Sequence, residues 1–249
     1  FAQLQRQAQI QLEGRTSGSP KYAFREVEER RGLQRLPLPS HGDVFFDIEG
    51  YPRAIGESLE YLLGYVTCDG GTPKYHGDWA LNKREERRAF EAFMDFVMER
   101  WQRYPDLHIY HFAPYEPAAL KRLATRHATR EYELDQLLRG GRLVDLYGVV
   151  RQGIWASVES YSIKELERFY GFERKQELRE ASKHLRGVER LIELDLTGQL
   201  ASQSREIVER YNKDDCLSTL ALRDWLENLR TEVEADGQAL PRPNPESGD

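Results

Sequence analysis

Residues 42–52 read GDVFFDIEGYP, and this stretch constrains the chain more than any other. Val44, Phe45, Phe46 and Ile48 place four apolar side chains in five positions, the pattern of a strand entering a core. At its far end stand Asp47 and Glu49, followed by a Gly-Tyr-Pro turn. Strand side chains alternate, so residues two apart share a face and the two carboxylates project side by side. Like charges that close repel each other, and both resist leaving water. Something must neutralise them.

Two more acids stand where local structure explains them poorly. The run 204–230 reads as one long helix. Ile207, Val208, Asp215, Ser218, Leu222, Trp225, Leu226 and Leu229 fall within about 60° of Tyr211 around its axis. Asp215 therefore lies on the apolar face, one turn beyond Tyr211. A carboxylate there is either satisfied by a lysine or backbone groups, or it coordinates an ion. Tyr211 alone reads equally well as a core aromatic. Glu116 falls between the strand LHIYHF (107–112) and Pro117, which suits the first turn of a helix over 117–130. It is placed either to cap that helix or to face a ligand beyond the strand ends. The combination carries more weight than any member. An oxygen-rich set without cysteine suits Mg²⁺ or Mn²⁺. Two such ions about 3.5–4 Å apart would neutralise the acids and clamp an in-line attack on phosphate.

The remaining chain supplies a frame for these acids. Strand patterns cover 43–48, 60–67 and 73–77, with DGG (69–71) as a hairpin turn. A helix over 83–103 carries the stripe Phe90, Phe93, Met94, Val97 and Trp101. LVDLYGVV (143–150) begins as a strand. SIKELERFYG (162–171) is a helix with a Ser162/Glu165 capping box and a Gly171 stop. Residues 172–202 are charge-rich and show no clear period. Residues 1–14 read as a Gln-rich helix ended by Gly14, and 15–41 as a polar arm or linker finishing in LPLPS. Three organisational units are expected: the helix and arm over 1–41, a compact domain over 42–230, and a Pro/Gly-rich tail over 231–249. The order of elements predicts an α/β domain with a mixed β-sheet flanked by α-helices.

Composition limits the partners. The net charge is −6, from 42 acids and 36 bases, too mild to identify or exclude nucleic acid. Cys68 and Cys216 form no CxxC or Cys/His cluster, so no zinc site is expected and a reducing, cytoplasmic setting is indicated. No apolar run reaches a membrane span. Phe1 at the start and ALPRPNPESGD at the end read as the limits of a piece of a longer polypeptide.

In order, Asp47-Ile-Glu49, Tyr115-Glu116 and Tyr211-Asn-Lys-Asp-Asp215 resemble the three motifs of the DEDD (DnaQ-like) exonucleases, with the Tyr-x3-Asp spacing of the tyrosine subclass. More closely, GDVFFDIEG, HFAPYEPAALKRL, VDLYGVV, SYSIKELERFYG and YNKDDCLSTLALRDWLE resemble the RNase H-like domain of RecB-like nucleases. The likeness spans about 42–230. It implies an RNase H-like fold, two Mg²⁺ or Mn²⁺ ions and 3′→5′ exonuclease activity on nucleic acid, DNA before RNA. It also implies superfamily 1 helicase and RecB/Cas4-type nuclease regions in the same longer chain. The resemblance assigns metal binding to Asp47, Glu49 and Asp215, with Glu116 contributing to the second ion and Tyr211 orienting the attacking water. The chain departs from the pattern at Glu116, where an Asp is usual.

Asp214, about 60° from Tyr211 on the helix, could assist Asp215. Asp145 matches an acid often found after a sheet strand in that superfamily, and reads as structural or as supporting a ligand from behind. His111 could face the site. Lys121, Arg122, Arg126, His127 and Arg130 form either a phosphate track or a solvated helix face, and Arg210 and Lys213 flank the tyrosine motif in the same way. The rival functions are a structure-specific endonuclease or RNase on the same fold, and a catalytically idle domain that binds nucleic acid or scaffolds a larger enzyme.

Overall fold

Alternation along the first long strand decides how the sheet is covered. The computed structural model describes residues 2–51 and 58–243. In chain order the elements are α1 (Ala2–Ser17), β1 (Tyr22–Phe24), β2 (Val44–Tyr51), β3 (Leu59–Thr67), β4 (Lys74–Trp79), α2 (Lys83–Arg103) and β5 (Ile109–His111). They continue as α3 (Tyr115–His127), α4 (Glu131–Arg139), β6 (Leu143–Asp145), α5 (Leu146–Gly153), β7 (Ile154–Ala156), α6 (Ile163–Tyr170), α7 (Leu178–Glu193) and α8 (Ser202–Ala235). Val44, Phe46 and Ile48 point to the side of α2 and α3, where they join Phe90, Phe93, Val97, Leu120 and Leu123. Phe46 stacks on Phe93 with ring centres 4.1 Å apart. Phe45 points the other way, into a second core with Leu146, Leu166, Leu222, Leu226 and Leu229. Asp47 and Glu49 share the parity of Phe45, so they face α8.

The five-stranded sheet has the order β4-β3-β2-β5-β6. β2 is antiparallel to β3 and β3 to β4, whereas β2, β5 and β6 run parallel. It is the expected α/β architecture, a mixed sheet flanked by helices. Parallel β2, β5 and β6 deliver their carboxyl ends to one edge, and Asp47, Glu49, Glu116 and Asp145 all lie there. α8 crosses the sheet against β2, β3 and β5. It is fixed at the opposite end of β2 by Arg223, which donates to Asp43 at 2.8 Å.

Several elements differ from their sequence patterns. β2 continues to Tyr51 through a bulge at Glu49/Gly50, and Pro52 of the expected turn lies outside the described residues. α1 runs past Gly14 to Ser17. That glycine is there for close approach, since a Cβ would stand 2.5 Å from the Ser157 Cβ. Two glutamines of α1 donate to the backbone beyond it, Gln7 to Ala156 and Gln11 to Val158. Within 15–41, β1 pairs antiparallel with β7, and Leu33 and Leu36 are buried in the core beside α5. The helix expected over 117–130 starts at Tyr115 and ends at His127, where Ala128 turns left-handed. The stretch 172–202 contains α7. Ala181, Leu185, Val188 and Ile192 do recur at helical spacing there, diluted by charge, and the last three pack with Tyr61, Leu62 and Val208. Ser162 caps α6 by accepting from the Glu165 N–H, which is the first half of the expected capping box, and Gly171 closes the helix at φ 64°.

Candidate metal centre

Asp47, Glu49 and Asp215 converge where β2 passes under α8. Ligand oxygens from all three lie within 4.8 Å of one another. Strand parity aims the first two, and the helical period aims the third. The packing that seats them comes from β3, where Gly64 lies opposite Asp47 in register. A Cβ at Gly64 would stand 1.5 Å from Asn212 Oδ1, so only glycine leaves room for that buried amide. Asn212 accepts from the Tyr75 hydroxyl at 2.9 Å and donates to Asp47 Oδ2 at 2.7 Å. One face of α8 thereby carries both the third carboxylate and a clamp on the first.

Two cations border the cluster. Arg174, in the loop after α6 with its side chain largely covered, donates from Nη2 to Asp215 Oδ1 at 2.6 Å and to Glu167 Oε1 at 2.5 Å. Lys164, in the first turn of α6, lies 2.5 Å from the Tyr211 hydroxyl and 3.9 Å from Asp215 Oδ2. Asp214 points away from the cluster and accepts the N–H groups of Lys175 and Gln176 at 2.9 and 2.8 Å, which pins the loop that carries Arg174.

Burial drives the electrostatics, and like charge adds to it. The proton affinity of Asp47 is pushed well above the ordinary carboxylate range by burial, then by Glu49, Asp215 and Glu116, with Lys164 opposing. Glu49 is pushed up to about 8 by burial and then by Asp215. The Tyr211 hydroxyl is pushed up by burial, then by Asp215, Glu49 and Asp47, so it remains protonated near neutrality. Such a set of acids, half-buried at Asp47 and Glu49 and buried at Asp215, offers only oxygen donors and crowds like charge, which fits a divalent cation.

Glu116 stands apart from the three-acid cluster, although it is close enough to raise Asp47. It is the second residue of α3, buried, with Pro114 at the cap position. His111 Nδ1 donates to the Ala113 carbonyl at 2.8 Å, and Glu116 Oε2, 3.5 Å from that nitrogen, is left without a hydrogen bond. Burial first, and Asp145 in addition, raise its proton affinity against the pull of His111. The turn before it is strained: Ala113 has φ 75°. Asp145 holds that turn by accepting the Ala113 N–H at 2.9 Å while capping α5 through Tyr147. His111 and Asp145 thus support the turn that presents Glu116.

The expected basic track is largely committed elsewhere. Arg122 donates to buried Glu60 and Arg126 to buried Glu86, each at 2.8 Å, and His127 also meets Glu86. Arg130 pairs with Asp95. Lys121 lines an open surface with Arg122 and Arg126. Arg210 and Lys213 line another beside Tyr75, where Arg210 lies 3.7 Å from Glu206. A cleft of about 720 Å³ lies at the amino ends of β5 and β6, away from the acids. Its Arg139 and Arg242 are paired with Asp135 and Glu227.

Sequence reasoning missed Asn212, Lys164 and Arg174. Asn212 lies inside the tyrosine motif, but its direction matters only once Gly64 is opposite it. Lys164 carried a signal, because a cation in the first turn opposes the helix dipole. Arg174 carried none.

A family model for the RNase H superfamily matches residues 44–227. No curated protein and no solved structure matched the chain.

Proposed function

Because the chain belongs to the RNase H superfamily, we propose that it is a metal-dependent 3′→5′ exonuclease that hydrolyses single-stranded DNA to nucleoside 5′-monophosphates. The carrying observation is the convergence of Asp47, Glu49 and Asp215, with Tyr211 one turn before Asp215. Asp47, Glu49 and Asp215 would hold the metal, and Glu116 would serve a second ion from its own edge of the site. Divalent ions, when bound, supply the charge neutralisation and water activation that phosphodiester hydrolysis needs. The chain's residues supply position. Asn212 fixes the Asp47 carboxylate, and Arg174 fixes one oxygen of Asp215. Tyr211, protonated near neutrality, orients the attacking water as a hydrogen-bonding group and leaves the proton transfer to others. The choice of DNA, the direction of digestion, and helicase and RecB/Cas4-type nuclease regions in a longer chain rest on the motif resemblance alone.

The test is cleavage of 5′-labelled single-stranded DNA and RNA with Mn²⁺, beside Asp215→Ala. A ladder shortening from the 3′ end, absent in the variant, is expected; fragments cut internally on 3′-blocked strands would replace the exonuclease by an endonuclease. A second reading, binding without hydrolysis, is favoured by one observation: Arg174 already neutralises Asp215. Mn²⁺ binding without any cleavage would establish it.

A further inference from the structure

A phosphodiester must approach a site built from acids. When ionised, Asp47, Glu49, Glu116 and Asp215 carry four negative charges, which two divalent cations would only cancel. Attraction for the incoming phosphate therefore needs positive charge from the chain. Arg174 is not accessible: Glu167 and Asp215 take its Nε and Nη2, and its unpartnered Nη1 is buried in a side chain that is 8% exposed. Lys164 is differently placed. Its side chain is 36% exposed, its nearest carboxylate oxygen is 3.9 Å away, and its ammonium lies 4.8 Å from the centre of the Tyr211 ring.

We propose that Lys164 and Tyr211 together form a phosphate-binding claw, which takes a non-bridging oxygen of the single-stranded nucleic acid at the mouth of the carboxylate cluster. The proposal rests on the nuclease reading above and names the group that grips its substrate. An ammonium is a donor only, so Lys164 donates to the Tyr211 oxygen across the 2.5 Å contact. The tyrosine's own O–H is then free to donate elsewhere. The remaining N–H groups of Lys164 stand beside it, partly open to solvent. Two donors, one of them charged, thus stand together beside Asp215, a pairing that suits an anionic oxygen. Ion pairing with Asp215 alone would not require the lysine to sit on the tyrosine hydroxyl.

Fluorescence anisotropy with a 5′-labelled oligothymidylate, in Ca²⁺ and in EDTA over a salt series, tests this without turnover. Lys164→Met keeps the aliphatic stem on the tyrosine ring, and Lys164→Arg keeps the charge. The Met variant should bind about 5–10-fold more weakly, and its salt slope should fall by roughly 0.7, the loss of one phosphate contact. The Arg variant should recover most of the affinity. Equal oligonucleotide affinity and slope in wild type and Lys164→Met, with only Mn²⁺ affinity changed, would overturn the claw and leave the nuclease reading standing. A wild-type protein that neither binds nor cuts the oligonucleotide would overturn both.

Discussion

Arg174 and Asp215 meet at 2.6 Å, across 41 residues of sequence, with both side chains nearly buried. The same guanidinium nitrogen binds Glu167, which also accepts from Ser218 at 2.8 Å. One arginine therefore ties the loop after α6 to both α6 and α8, and it neutralises a carboxylate of the candidate metal centre from behind.

Removing that arginine leaves two nearly buried carboxylates uncompensated. Arg174→Ala should destabilise the metal-free protein by roughly 3–5 kcal/mol in urea unfolding. Saturating Mn²⁺ should restore part of the loss by taking over the charge of Asp215. A loss below about 1 kcal/mol would mean that solvent already screens the pair.

The acids themselves predict a pH dependence. A carboxyl whose folded-state pKa is raised binds more protons folded than unfolded, so stability falls as pH rises through that interval. Glu49 moves from an ordinary 4.5 to about 8, and Asp47 shifts in the same direction. The metal-free Tm should therefore decline between pH 4.5 and 8. Mn²⁺ needs the ionised forms, so its stabilisation should grow over the same range, reaching about 2.7 kcal/mol at a hundredfold excess over Kd. Thermal melts with Mn²⁺ and with EDTA at several pH values check both signs.

Relieving the repulsion should stabilise what it disables. Asp47→Asn removes one like charge at almost constant volume, and it should raise metal-free stability by about 0.5–2 kcal/mol. The same variant should lose the Mn²⁺-dependent rise in Tm. A variant less stable than wild type in EDTA would show that Asn212, which donates to Asp47 at 2.7 Å, needs an ionised partner.

Gly64 should tolerate no side chain. A Cβ 1.5 Å from Asn212 Oδ1 must displace that amide and break its link to Tyr75. Gly64→Ala should cost roughly 1–3 kcal/mol, and it should weaken Mn²⁺ binding because the Asp47 clamp goes with it. Isothermal titration and chemical denaturation together separate the two effects.

What the sequence determined by itself was direction. A period of two in β2 placed Asp47 and Glu49 on the face of Phe45. A period of 3.6 in α8 placed Asp215 beside Tyr211 on its buried side, and the Ser162 cap and Gly171 bounded α6. These features are local, because backbone geometry fixes where each side chain points before any partner arrives. The tertiary structure decided what each side chain met. Arg122 and Arg126 could have formed a free phosphate track, but buried Glu60 and Glu86 claim them. Asn212 became a clamp only because Gly64, 148 residues earlier, leaves a gap in β3. Lys164 and Arg174 reached the acids through the folding of α6 and its following loop onto α8. Contacts of that kind depend on how distant elements pack, and no local periodicity in a single chain records them.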